Sequence, residues 1–152
     1  MQPTQRLQQF IAEHLPLVTA MQAEINFYDG QQFYLQAPLG LNHNDKYTAF
    51  GGSLYNLCIT NAIGLGFIKA YEKGLDPNWV VAKAEIEYKA PAKSECLIAK
   101  CISPSEELWQ QFFKDYNEKG RARIEITSTV YEGNIIACQF TGKFALIGAS
   151  PL

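Results

Sequence analysis

Between residues 51 and 68 the chain reads GGSLYNLCITNAIGLGFI, with no formal charge. Its apolar residues fall on every side of a helical wheel rather than on one stripe. A helix packed on one face of a sheet keeps a charged outer side, so this one has to be covered nearly all round. A bilayer would cover it, but Ser53, Asn56, Thr60 and Asn61 are polar, the run is short for a membrane and no second span accompanies it. The remaining solution is a curved sheet wrapped about a buried helix. At 152 residues the chain has the usual size of one domain, able to bury a core without disulfides or a structural metal. The expectation is therefore a single α+β domain over residues 1–152.

The rest of the sequence supplies that sheet. Leu7, Phe10, Ile11 and Leu15 recur at helical spacing, which predicts a helix over residues 4–15 with Thr4 as its cap and Pro16 as its stop. The β-prone runs 23–28 and 32–37 are joined through Asp29-Gly30, a hairpin turn. Residues 38–51 carry Pro, Gly and two Asn and read as loop. Residues 79–90 alternate, with Ala82, Ala84, Ile86 and Tyr88 toward the core and Lys83, Glu85, Glu87 and Lys89 toward water. A strand over 95–102 is followed by a helix over 105–119, which carries Trp109, Phe112 and Phe113 and ends at Gly120. Residues 121–131 alternate again, and Glu132-Gly133-Asn134 turns the chain into a last strand over 135–147. Hairpin connections make the sheet antiparallel, with about six strands.

Composition narrows the function classes. A net charge of −2 with scattered Lys and Arg leaves no basic stripe for phosphates, so a nucleic-acid partner is not expected, and the aromatic residues read as strand and core. Cys58, Cys96, Cys101 and Cys138 lack a CxxC pair and lie in apolar segments, the pattern of thiols packed as small hydrophobes. That usage, and an N-terminal segment without an apolar core or cleavage site, point to a reduced, cytoplasmic setting. Two histidines without paired ligand spacing predict no metal.

The chemistry concentrates where the buried helix begins, at Asn44-Asp45-Lys46-Tyr47-Thr48-Ala49-Phe50-Gly51-Gly52-Ser53-Leu54-Tyr55. Two glycines let a substrate carbonyl approach the backbone, and the first N–H groups of a helix have no partner within it. Such groups form an oxyanion hole, reinforced by the helix dipole. The bland reading is a tight helix start with Ser53 as cap. Six strands about one helix is the hotdog architecture, and this junction resembles that of the hotdog thioesterases. Many of those, the phenylacetyl-coenzyme A type among them, carry an Asn six residues ahead of a His-Gly-Gly that opens the central helix; here Asn44 precedes Phe50-Gly51-Gly52 at that spacing. Phe-Gly-Gly-Ser-Leu, with Asn42 and Asn44, is similar to a thioesterase family also found fused behind acetyltransferase domains. The likeness runs from about residue 15 to residue 147.

The resemblance implies hydrolysis of an acyl thioester, on coenzyme A or an acyl carrier protein. No cofactor is implied; coenzyme A or phosphopantetheine enters as part of the substrate. It also implies at least a homodimer, with acyl sites between subunits. The Gly52 and Ser53 amides are the expected oxyanion hole, with Asn44 and Asp45 on the side of the attacking water. Phe50, Gly51, Asn56 and Thr60 are expected to meet substrate. Asn56, Thr60 and Asn61 either line an acyl channel or satisfy strand ends. Tyr88-Lys89-Ala90-Pro91-Ala92-Lys93 resembles the segment bordering the pantetheine tunnel, with Lys89 or Lys93 toward a coenzyme A phosphate. His43 is a further candidate base. Ile59 stands where the phenylacetyl type has a helix carboxylate, and Phe50 replaces its His. Those departures keep open a binding module without turnover; a third reading, a hydroxyacyl-thioester dehydratase, usually needs a His and an acid across the cleft, and the short supply of histidines counts against it.

Overall fold

The protein is described here by a computed structural model covering residues 1–76 and 78–148. Helix α1 (Pro3–His14) is followed, after the single non-helical residue Leu15, by the short α2 (Pro16–Ala20). The first helix ends ahead of Pro16, as expected, and Pro16 also opens the next one, in a first turn where a proline's missing N–H is not needed. Thr4, expected to cap α1, lies inside it, and Gln2 is the cap, paired reciprocally with Gln5. Strands β1 (Glu24–Tyr28) and β2 (Gln32–Pro38) form the hairpin. The Asp29 carboxylate accepts the Gln31 and Gln32 N–H groups at 2.9 and 2.7 Å, and Gly30 takes the positive φ of 95°.

A 3-10 turn (Leu39–Leu41) and a loop lead into α3 (Gly51–Glu72), which runs a turn past the uncharged stretch. Then come β3 (Trp79–Tyr88), β4 (Cys96–Ile102), α4 (Glu106–Lys119), β5 (Arg121–Glu132) and β6 (Ile135–Ile147). The six strands form one antiparallel sheet in the order β1-β2-β4-β5-β6-β3. The longest pairing joins β5 and β6, as their alternation and the Gly133 turn imply. Helix α4 starts on Ser105, whose hydroxyl accepts the Leu108 N–H at 3.2 Å, and ends at Gly120 with φ 73°.

Helix α3 is the centre of the core. Leu57, Cys58, Asn61, Leu65 and Ile68 are fully buried, packed with Phe33, Leu35, Phe140 and Phe144 of the sheet. One buried polar tie fixes the helix to two strands. The Asn61 Nδ2 donates to the Phe33 carbonyl at 2.8 Å, and the Ser128 hydroxyl donates to Asn61 Oδ1 at 2.7 Å. At the far end of α3 the Trp79 ring lies against Gly66 and stacks on Phe112, so α4 closes that side.

Two expectations about side chains change. In β3, Ala82 and Tyr88 are exposed rather than core. The strand is the last of the sheet, and its register shifts between Val81 and Lys83, so the alternating pattern does not carry through it. Cys96 is exposed, whereas Cys58, Cys101 and Cys138 are buried free thiols. Cys58 and Cys138 lie 3.9 Å apart; their contact raises the Cys58 pKa and lowers that of Cys138. Among the described residues no helix is long and apolar enough to cross a membrane.

Candidate active site

The loop ahead of α3 is held from both sides. Asn42 is buried, and its Nδ2 donates to the carbonyls of Met21 and Pro38 at 3.0 and 2.8 Å. Its own carbonyl accepts the Phe50 N–H at 2.8 Å, and the Ala49 N–H donates to the Ala92 carbonyl at 2.8 Å. Between these anchors the chain doubles back, with His43 bridged to Ala49. Asn44 organises the turn: its Oδ1 accepts the N–H groups of Lys46 and Thr48 at 2.8 and 3.2 Å, and its Nδ2 donates to the Thr48 hydroxyl at 2.9 Å. Such Asx geometry is a strong local reason for an Asn at this position. Tyr47 pays with a φ of 59° and stacks on the His43 ring, centroids 4.5 Å apart.

Helix α3 then begins at Gly51 with Phe50 as N-cap. Phe50 has no side-chain oxygen, and Ser53, expected as the cap, sits three residues past the cap position, inside the first turn. The first intrahelical bond is the Leu54 N–H to the Phe50 carbonyl at 3.0 Å. Of the four N–H groups a helix start leaves over, Asn42 satisfies that of Phe50. Those of Gly51, Gly52 and Ser53 meet no acceptor among the described residues. They point out of the most enclosed helix of the fold, at the positive end of its dipole.

Two rings flank this opening. The Phe50 ring lies beside Gly52 so closely that a Cβ there would be 2.7 Å from its Cε1. On the other side the Tyr88 hydroxyl donates to the Gly51 carbonyl at 2.8 Å, with its ring 3.4 Å from the place of a Gly51 Cβ. Burial raises the Tyr88 pKa, so its hydroxyl stays protonated and able to donate. Phe50 remains 56% exposed, and Gly52 is open to solvent.

The structure therefore brings Phe50, Gly51, Gly52, Ser53 and Tyr88 together. The 88–93 segment runs beside them: the Lys89 and Ala90 N–H groups both reach the Ala137 carbonyl, at 2.7 and 3.1 Å, and Ala92 holds Ala49. Lys89 lies 3.8 Å from Glu87 in an exposed pair, and the Lys93 N–H donates to the Glu132 carboxylate at 2.9 Å. Asp45 faces solvent with its side chain 81% exposed, 3.4 Å from Lys46. The residues Asn56, Thr60 and Asn61 of α3 separate. Asn61 ties strands, whereas Asn56 and Thr60 line a groove of about 590 Å³ with Ile59 and Ile63. The opposite wall is α1 and α2, with Phe10, Leu15 and Leu17. Sequence reading predicted the first of these helices from Leu7, Phe10, Ile11 and Leu15 but missed α2, whose signal is Pro16, a residue that marks a helix start as readily as a stop.

Comparison with known proteins gives the same outline. The sequence model of a family described as "Putative thioesterase (yiiD_Cterm)" matches residues 4–148. Among solved structures, the chain is similar to a protein of unknown function from Chlorobaculum tepidum TLS. The two are 35% identical over 96% of this chain and 94% of that one, with a TM-score of 0.92. It is also similar to the putative thioesterase from Shewanella oneidensis, 23% identical over 95% of this chain and 97% of that one, TM-score 0.84. The PaaI protein from the phenylacetic acid degradation operon of E. coli is 16% identical over 97% of this chain and 96% of that one, TM-score 0.65. The last two likenesses are of fold, the six-stranded hotdog sheet around one long helix.

Proposed function

The chain belongs to this thioesterase family, and we propose that it hydrolyses acyl thioesters of coenzyme A or a carrier-protein phosphopantetheine, with the carbonyl held by the Gly52 and Ser53 amides. One observation carries the reading: three first-turn N–H groups without acceptors open to solvent from an otherwise enclosed, uncharged helix. As water adds to the carbonyl carbon, negative charge collects on the oxygen, and preorganised N–H groups stabilise it without reorganising. Gly52 has no side chain to obstruct the approach, and the Tyr88 hydroxyl steadies the turn through the Gly51 carbonyl. Water adds from the loop side, and the thiol departs along the 88–93 segment, where Lys89 and Lys93 are exposed to meet phosphate. Thiol release from acyl-coenzyme A of short, long and aromatic acyl groups is the test. Release from none of them sinks the proposal.

Asn44 enters this scheme through the loop it shapes, since both ends of its carboxamide are engaged there. Asp45 is the loop carboxylate nearest in sequence to the helix start, but it is turned to solvent beside Lys46. Replacement Asp45→Asn is therefore expected to lower kcat less than about tenfold, below the range usual for a general base. A loss of a hundredfold or more would identify Asp45 as the proton acceptor. The same exposure, with Ile59 in place of an acid, favours a second reading, acyl-thioester binding without turnover. Saturable binding with no thiol release would select it.

The assembly proposed is a homodimer formed through β3. That strand ends the sheet, runs for ten residues and leaves Val80 and Val81 41% and 45% exposed, an edge that a second copy would extend. The other end, β1, is only five residues long. Light scattering is expected to give at least twice the chain mass; a monomer at micromolar concentration contradicts the proposal.

A further inference from the structure

We propose that Tyr88 is a positioning residue that sets the strength of the oxyanion hole: its hydroxyl, held on the Gly51 carbonyl, polarises the peptide group whose other end is the Gly52 N–H. The inference rests on the thioester-hydrolase reading for the reaction. For the residue it rests on one hydrogen bond and on what that bond is not needed for.

The Gly51 carbonyl and the Gly52 N–H belong to the same peptide unit, which resonance makes a single conjugated group. The Tyr88 hydroxyl donates to the oxygen of that unit at 2.8 Å, while its N–H meets no acceptor among the described residues. A donor on the carbonyl draws electron density toward the oxygen and leaves the N–H hydrogen more positive. Linked hydrogen bonds strengthen one another in this way by about 10–30% per bond. The same contact holds the plane of the peptide, and with it the direction in which the Gly52 N–H points.

Packing alone does not call for the hydroxyl. In an α-helix the carbonyl of the first residue accepts the N–H four residues on, so the Gly51 oxygen is satisfied without Tyr88. Tyr88 is 53% exposed, and water could serve its hydroxyl instead. The contact of strand with helix comes from the ring, whose atoms lie 3.4 Å from the place of a Gly51 Cβ, and a Phe would supply most of it. What the hydroxyl adds is a second donor on a carbonyl already partnered, in a peptide whose N–H is unclaimed. It is also aimed from a rigid base. Tyr88 closes β3 opposite Cys138, and the Lys89 and Ala90 N–H groups that follow are both tied to the Ala137 carbonyl. Burial, with the nearby Cys138, Cys58 and Tyr55, raises its pKa and keeps the proton on the oxygen at neutral pH.

The test compares the native chain, in its native assembly, with Tyr88→Phe by two readouts. Removing an oxyanion donor costs about two to three orders of magnitude in rate, and weakening it by about 10–30% costs that share of the logarithm. Hydrolysis of acyl-coenzyme A should therefore slow roughly two- to eightfold in kcat, with KM changed less than about twofold, because the effect falls on charge that develops only in the transition state. The second readout is the infrared carbonyl stretch of a bound ketone analogue of acyl-coenzyme A, with a methylene in place of the sulfur. The native protein should lower its frequency below the value in water, and Tyr88→Phe should lower it by about 10–30% less. A stretch that is the same in both proteins overturns the proposal even if kcat falls, since the loss is then one of order at the helix start. An unchanged kcat overturns it too. A native protein that does not shift the stretch at all removes the oxyanion hole itself, a failure of the hydrolase reading rather than of Tyr88 alone. Because the ketone is not hydrolysed, a stretch that responds to Tyr88→Phe with no thiol release would sink hydrolysis and leave the polarisation standing.

Discussion

A Ser53→Pro chain is expected to keep its fold and to lose about two to three orders of magnitude in kcat for thioester hydrolysis. Proline removes one N–H and nothing else that the helix uses. The Ser53 amide lies ahead of the first intrahelical bond, which Leu54 makes, so the ladder stays complete. Proline is tolerated in a first helical turn for that reason. Ser53→Ala deletes the hydroxyl and keeps the amide, and is expected to lower kcat less than about threefold. The pair separates a role for the backbone from one for the side chain. Equal losses in both variants would assign the effect to the hydroxyl, and no loss in Ser53→Pro would remove the oxyanion hole. Thermal unfolding of both proteins guards against a trivial cause.

The second large effect concerns stability. Asn61 is fully buried and satisfies two groups at once, the Phe33 carbonyl and the Ser128 hydroxyl. Asn61→Leu leaves both without partners in the core, at about 1–3 kcal/mol for each unsatisfied group. A net loss of about 2–4 kcal/mol is expected, which for a chain of this length lowers Tm by roughly 6–12 °C. Adding Ser128→Ala removes one of the stranded groups, so the double variant should be more stable than the sum of the single losses implies, by about 1 kcal/mol. Denaturant titration measures all three variants. Additivity would mean that the two side chains do not share the bond.

The central helix was the most legible element because charge is informative: eighteen successive uncharged positions admit few environments. Its last turn escaped notice because Lys69 and Glu72 resume the charge, although Lys69 uses it to reach the Gly30 carbonyl at 2.6 Å. The β5–β6 hairpin was legible through strict alternation, since both strands are interior and keep one face in the core. Alternation alone misplaced Ala82 and Tyr88, because period two does not reveal whether a strand ends the sheet. At the site, Gly51-Gly52 marked the helix start, but the capping rules chose Ser53 over Phe50. A cap without an oxygen leaves its neighbours' N–H groups unclaimed, which is the opposite of what those rules look for. The groove was not legible, because its second wall comes from helices forty residues away in sequence that touch α3 only in the folded chain.

The most direct measurement is a crystal structure with a ketone analogue of an acyl thioester, in which a methylene replaces the sulfur. The carbonyl oxygen should lie about 2.7–3.1 Å from the Gly52 or Ser53 nitrogen. An oxygen bound elsewhere, with the Phe50 ring closed over the helix start, would contradict the account.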